Sequence, residues 1–128
     1  MTIELSSPDR TTVKTLRQPA TDAIEPRAKT LLQPATQDIS LPAVMGALAD
    51  PVRVAIVRAL AEQGETVCGT LELGVSKATR SHHYRVLREA GVTNTRVDGT
   101  RRYVSLRRDD LDARFPGLLD ALLAAAAR

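Results

Sequence analysis

The chain has 128 residues, enough for one domain with a single core, yet small enough that pairing with a second subunit would help stabilise it. One Phe, two Tyr and no Trp leave a core of Leu, Val, Ile and Ala, which suits packed helices better than a β-sandwich. Eighteen Lys and Arg against fifteen Asp and Glu give a net charge of +3, which fits an anionic partner, and the single Cys68 excludes an internal disulfide framework.

No apolar run approaches the ~20 residues that a membrane span needs, and the N-terminus lacks the basic and apolar regions of a signal peptide. The expected location is the cytoplasm, with no membrane partner. Residues 1–40 mix Ser, Thr, Pro, Gln and balanced charge without a sustained period, so they read as a flexible N-terminal tail. Within it TLRQPAT at 15–21 is echoed by TLLQPAT at 30–36, and two copies do not make a solenoid.

Residues 41–49 contain a short helix, apolar at Leu41, Val44, Met45 and Leu48. Asp50-Pro51 then gives a strong start signal, an N-cap followed by a proline whose missing amide costs nothing at the first helical position. In the helix that follows, Val52, Ala55, Ile56, Ala59 and Leu60 share a face that should be core, with Arg53 and Arg58 off it, and Gly64 ends it. Residues 65–73 are expected to form a short, weak helix with Gly69 in its middle.

Ser76 is a good N-cap for a helix over about 77–89 that carries Lys77, Thr79, Arg80, Ser81, His82, His83, Arg85 and Arg88 around most of its circumference. Gly91 closes it in a left-handed conformation. Two β-prone runs at 93–97 and 102–106 follow, joined by Asp98-Gly99, a dipeptide suited to a tight hairpin turn. From Lys77 to Arg108 nine basic residues face two acidic ones, a net +7 that exceeds the charge of the whole chain. A helix tipped with short polar side chains beside an arginine-bearing hairpin matches what double-stranded DNA requires: the helix fits the major groove and the arginines neutralise phosphates. After the hairpin, residues 107–128 are helical, interrupted at Phe115-Pro116-Gly117, with a final stripe of Leu118, Leu119, Leu122 and Leu123.

The runs ALADPVR at 47–53, GVSK at 74–77, SHHYRVLREAGV at 81–92 and DGTRR at 98–102 resemble the ArsR/SmtB family of bacterial winged helix-turn-helix repressors, from about Leu41 to the C-terminus. That resemblance implies a mainly α fold with a small β-hairpin, a winged helix-turn-helix over 41–128 that both binds DNA and dimerises. It implies a homodimer that pairs its first and last core helices across a two-fold axis, here through Leu41, Val44, Met45, Leu48, Leu118, Leu119, Leu122 and Leu123. By the family pattern Ser76, Lys77, Thr79 and the Ser81-His82-His83 group face the groove, Arg85 meets phosphate, and Arg96, Arg101 and Arg102 act from a wing over about 93–106. Arg80 falls where relatives carry an aliphatic residue, and is expected to lay its stem over the apolar stripe with its guanidinium on a phosphate. The family usually has a longer helix than residues 65–73 allow.

Many relatives sense metals, but no metal site or cofactor is expected here. His82 and His83 point about 100° apart on a helix and form no same-face pair, and the last helix holds no histidine. Cys68 invites a thiol-sensing alternative, although Glu65 and Glu72 as neighbours would make its thiolate less accessible. The chain lacks a phosphate loop, a nucleophile elbow and an HExxH run, so an enzyme is not expected. The expectation is a transcriptional repressor that binds an operator as a homodimer; whether a small effector exists, and which, the sequence does not say. A metal- or thiol-responsive sensor through Cys68, and a winged helix used only for protein–protein contact, remain the alternatives.

Overall fold

In the computed structural model, which describes Leu31 and residues 33–127, the first three α-helices begin at caps the sequence encodes. Ser40 opens α1 (Leu41–Ala47) by accepting the Ala43 amide on its hydroxyl at 3.2 Å. Asp50 opens α2 (Pro51–Gln63), its carboxylate taking the amides of Val52 and Arg53 at 2.8 and 3.2 Å. Ser76 opens α3 (Lys77–Ala90), and Gly91 closes it at φ 88. The two C-terminal helices, α4 (Arg108–Arg114) and α5 (Leu118–Ala126), are separated at Phe115-Pro116-Gly117 as expected.

The hairpin strands β2 (Thr93–Asp98) and β3 (Arg101–Leu106) pair antiparallel from Thr93 opposite Leu106 to Asp98 opposite Arg101, so the two-residue turn is Gly99-Thr100, one position later than expected. A third, two-residue strand, β1 (Thr66–Val67), adds to β3 and gives the order β1-β3-β2. β1 lies in the segment expected to be a short, weak helix ahead of α3. Residues 65–73 are not helical: they run through β1 into a turn in which Gly69 sits at φ 98, a conformation that a helix interior cannot contain.

The core joins Val44 and Ala47 of α1, Ile56, Val57 and Leu60 of α2, Tyr84 and Leu87 of α3, Val104 of β3, Leu111 of α4 and Leu119 of α5. In α2 the buried face is rotated from the expected one, with Ala55 exposed and Val57 fully buried. Ile39, only 1 % exposed, completes the core from a segment expected to be tail. Residues 33–40 are strapped down. The Gln33 side chain donates to Asn94 and to the Thr95 carbonyl and accepts the Thr95 amide at 2.7 Å. Arg107 donates to the Pro34 carbonyl and Arg114 to that of Ile39. A β-carbon built on Gly91 would lie 2.7 Å from Ile39 Cγ1, so only glycine lets the strap pass over the end of α3. The packed domain therefore begins ahead of Leu41; residues 1–30, with the first copy of the near-repeat, lie outside the described residues. The architecture is a mainly α winged helix-turn-helix whose small sheet has three strands.

Candidate nucleic-acid interface

The face that α3 offers follows from where its apolar side chains fall. His83, Tyr84, Leu87 and Ala90 are buried, which turns Lys77, Thr79, Ser81, His82 and Arg85 to solvent and leaves Arg80 and Arg88 half-buried at the sides. Ser76 Oγ accepts the Thr79 amide at 3.1 Å and donates to Thr79 Oγ1 at 3.0 Å, so these two hydroxyls fix the tip of the helix.

His83 does not belong to the exposed group. It is 7 % exposed, and its Nδ1 lies 3.0 Å from Arg53 Nη1 at the start of α2. The physical reason is helical phase: His83 precedes Leu87 by four and Ala90 by seven, which puts it on the inner stripe. Its neighbour His82 stays outside.

Two adjacent clefts connect α3 to the hairpin. One, of about 410 Å³, is lined by Cys68, Lys77, Arg80, Ser81, Arg101 and Arg102 among others. The other, of about 480 Å³, is lined by Ala78, Ser81, His82, Arg85, Arg88 and Arg102. They share Ser81 and Arg102, and among the described residues no carboxylate lines either. Among the described residues none of the six cations Lys77, Arg80, Arg85, Arg88, Arg101 and Arg102 enters an ion pair. Helix and hairpin thus present a continuous cationic surface with polar tips between the charges, suited to a polyanion.

The remaining arginines of the basic run are engaged elsewhere. Arg96 grips Glu65 through two bonds of 2.9 and 3.1 Å, with its guanidinium 4.2 Å above the Tyr103 ring. That carboxylate holds the guanidinium even more firmly protonated than usual, because a hydrogen-bonded anion favours the charged form. Arg96 thus lies on the wing, with its guanidinium held by Glu65. Arg107 bonds to Asp110 at 3.0 Å, and Arg108 bridges Asp112 and Asp120 at 3.9 and 3.0 Å.

Cys68 sits at the bottom of this region, its amide bonded to the Arg102 carbonyl at 2.7 Å. Burial pushes its thiol up from the ordinary range, and the charges of Arg102, Arg80 and Arg88 only partly offset this. The expected neighbours Glu65 and Glu72 are not the ones that act on it. Tyr84, buried beside Cys68 and Arg80, has its phenol pushed up to about 12, mainly by loss of solvent, and its hydroxyl has no hydrogen-bond partner among the described residues. No three His, Cys, Asp or Glu side chains among the described residues form a group that could hold a metal ion.

The residues expected at a subunit interface divide. Val44 and Leu119 are fully enclosed by their own subunit, at 0 % and 2 % exposure, and are core. Leu41 and Met45 are the large apolar side chains most open to solvent, at 45 % and 53 %, and Leu48, Leu118, Leu122 and Leu123 are partly covered. No described helix is long and apolar enough to cross a membrane.

Sequence reasoning missed Arg53 as a partner of α3 and Thr100 as part of the first cleft. Arg53 falls at the third position of α2, where its side chain can fold back past the cap; Thr100 carries no signal beyond its place in the turn.

Comparison with known proteins agrees with this geometry. The family model described as bacterial regulatory protein, arsR family, matches residues 50–95, which span α2, α3 and the start of the wing. The chain is 43% identical over 82 residues to the uncharacterized HTH-type transcriptional regulator YceK of Bacillus subtilis, covering 62% of this chain and 82% of that one. It is 39% identical over 59 residues to the uncharacterized HTH-type transcriptional regulator MJ1325 of Methanocaldococcus jannaschii, covering 44% of this chain and 66% of that one.

Proposed function

The chain belongs to the ArsR family of bacterial regulatory proteins and is a helix-turn-helix transcriptional regulator, and from that premise we propose that it is a cytoplasmic repressor acting as a homodimer on an inverted-repeat operator. The observation that carries the reading is the cationic surface common to α3 and the hairpin, where six basic side chains that enter no ion pair among the described residues surround Ser81 and His82. In this arrangement α3 enters the major groove with Lys77, Ser81 and His82 at base edges and Ser76 and Thr79 at its tip. Arg80, Arg85, Arg101 and Arg102 anchor on phosphates. Arg96 lies on the wing but is occupied by Glu65, and His83 acts from within the subunit.

The exposed Leu41 and Met45 on α1, with Leu122 and Leu123 on α5, are the apolar side chains best placed to be covered by a second copy. A two-fold dimer would set the two α3 helices on half-sites about one helical turn apart. Repression follows by occlusion of a promoter, relieved by whatever shifts the dimer away from that spacing.

The test is selection of duplexes from a random-sequence pool, with sedimentation of the complex. The expected result is an enriched inverted repeat bound by two chains. Retention with no enriched sequence, or a single chain per site, would overturn the proposal.

A further inference from the structure

The buried contact between His83 and Arg53 ties the reading helix to the rest of the domain through a bond that exists in one protonation state only. Arg53 is a donor at every accessible pH, with no lone pair to offer. Its Nη1 lies 3.0 Å from His83 Nδ1, so that nitrogen must be the acceptor and the ring must carry its proton on Nε2. The same guanidinium donates through Nε to the Ala47 carbonyl at the end of α1, at 2.6 Å. One arginine, emerging from the first turn of α2, therefore joins α1, α2 and the middle of α3.

From these contacts we infer that Arg53 is a positioning residue for DNA recognition, which sets the seating of α3 through neutral His83 and releases it when His83 takes up a second proton. The inference rests on the proposed DNA reading of α3.

A proton on Nδ1 would set a donor and a positive charge against Arg53 in a site that is 7 % exposed, and two donors cannot share that distance. Among the described residues the acid that acts on His83 is Asp50, whose carboxylate already accepts the amides of Val52 and Arg53. α1 brings no ionisable side chain. Farther along α2 stand Arg58 and Glu62, which line a separate cleft with Arg108. From β2 come Arg96, paired with Glu65, and Asp98 at its exposed end, and on α3 itself His82, whose ring centroid is 5.9 Å away, and Arg80. Protonated His82 adds a cation to the DNA-facing surface, whereas protonated His83 unseats the helix that carries it.

The experiment uses the full chain and, as probe, the duplex that its His82→Gln form enriches from a random pool, with an unselected duplex of equal length beside it. All variants carry His82→Gln, so that the exposed imidazole adds no charge. Affinity is measured from about pH 8 down to the lowest pH at which circular dichroism shows the chain still folded, and the His83 ring signals recorded alongside fix where its second proton binds. With His83 present, affinity for the enriched duplex is expected to fall about tenfold more than for the unselected one, the scale set by losing one buried bond to a charged group. In His83→Asn the amide oxygen can stand where Nδ1 stood and cannot be protonated, so the selective loss disappears. Arg53→Met should give the acid-state selectivity at every pH.

A His83→Asn variant that keeps the full acid loss would overturn the inference. In parallel, ring nitrogen shifts of His83 are recorded on the DNA-free chain. A proton found on Nδ1 at neutral pH would overturn it too, and this measurement stands even if no duplex is retained, the outcome that would sink the DNA reading instead.

Discussion

Net charge removed from a protein and charge removed from its DNA contact are different quantities, and the pairing pattern of the arginines separates them. The double variant Arg101→Ala/Arg102→Ala removes two cations that line the clefts between α3 and the hairpin and enter no ion pair among the described residues. Arg96→Ala/Arg108→Ala removes the same formal charge, but from guanidiniums held by Glu65 and by Asp112 and Asp120, with side chains 45% and 40% exposed. Each phosphate neutralised on duplex DNA contributes about 0.9 to the slope of log affinity against log salt, so losing two contacts per subunit should flatten a dimer's slope by about 3.6. The second variant should change the slope by less than about one contact, or about 0.9. The assay is fluorescence anisotropy of a labelled duplex titrated at four or more salt concentrations, with circular dichroism to verify that both variants are folded. Equal flattening by the two doubles would refute the argument, because it would mean that overall charge, and not the surface where α3 meets the hairpin, governs binding.

Two further expectations concern the strap over the end of α3. Ile39→Ala empties a side chain that is 1 % exposed and should cost about 2–5 kcal/mol in urea unfolding; a change within about 0.5 kcal/mol would mean that residues 33–40 do not pack as described. The Asp110 carboxyl is held below its usual range by the Thr36 hydroxyl at 2.7 Å and by Arg107. Its folded value is depressed, so the stabilisation is present above the ordinary carboxylate value near about 4 and is lost as pH falls through the folded value. The Tm gap between the natural chain and Thr36→Val should therefore narrow from about pH 6 to about pH 3, and a gap that stays constant or widens would contradict the linkage.

What could be read in the sequence was what short stretches determine by themselves. Asp50-Pro51, Ser76 and Gly91 each set a helix end through a side chain or a φ value belonging to that residue, and the helices begin and end there. The charge of the α3 and hairpin run was visible as well. Which of those charges remain unpaired was not, because the partner of Arg96 lies 31 residues earlier and that of Arg108 lies 12 later, in elements whose meeting only the fold decides. The strap escaped for the same reason. Its composition is that of a tail, and it is held by one isoleucine and by hydrogen bonds reaching more than 60 positions along the chain. His83 is a different kind of miss. Its spacing to Leu87 and Ala90 already marked the inner stripe, but the run of polar neighbours masked that phase.

The absence of a helix over residues 65–73 changes what must hold the reading helix in place. In a helix-turn-helix the first helix ordinarily packs across the second and fixes its angle, whereas here that stretch is spent on β1 and a glycine turn, and β1 binds the wing strand β3. The wing gains rigidity from the change: Cys68 is tied to Arg102, and Glu65 reaches across to Arg96 on β2. α3 loses a neighbour. Its inner face must then be fixed by α1 and α2, by the strap that covers Gly91, and by the bond from Arg53 to His83. Apolar packing of Tyr84 and Leu87 resists separation of α3 from the core, but it is nearly indifferent to a small rotation about the helix axis. A directional hydrogen bond near the middle of the helix is not, since a rotation that moved His82 along a base edge would also pull His83 Nδ1 off its donor. The orientation of the DNA-facing side chains is therefore controlled from the opposite side of the same helix, one residue away.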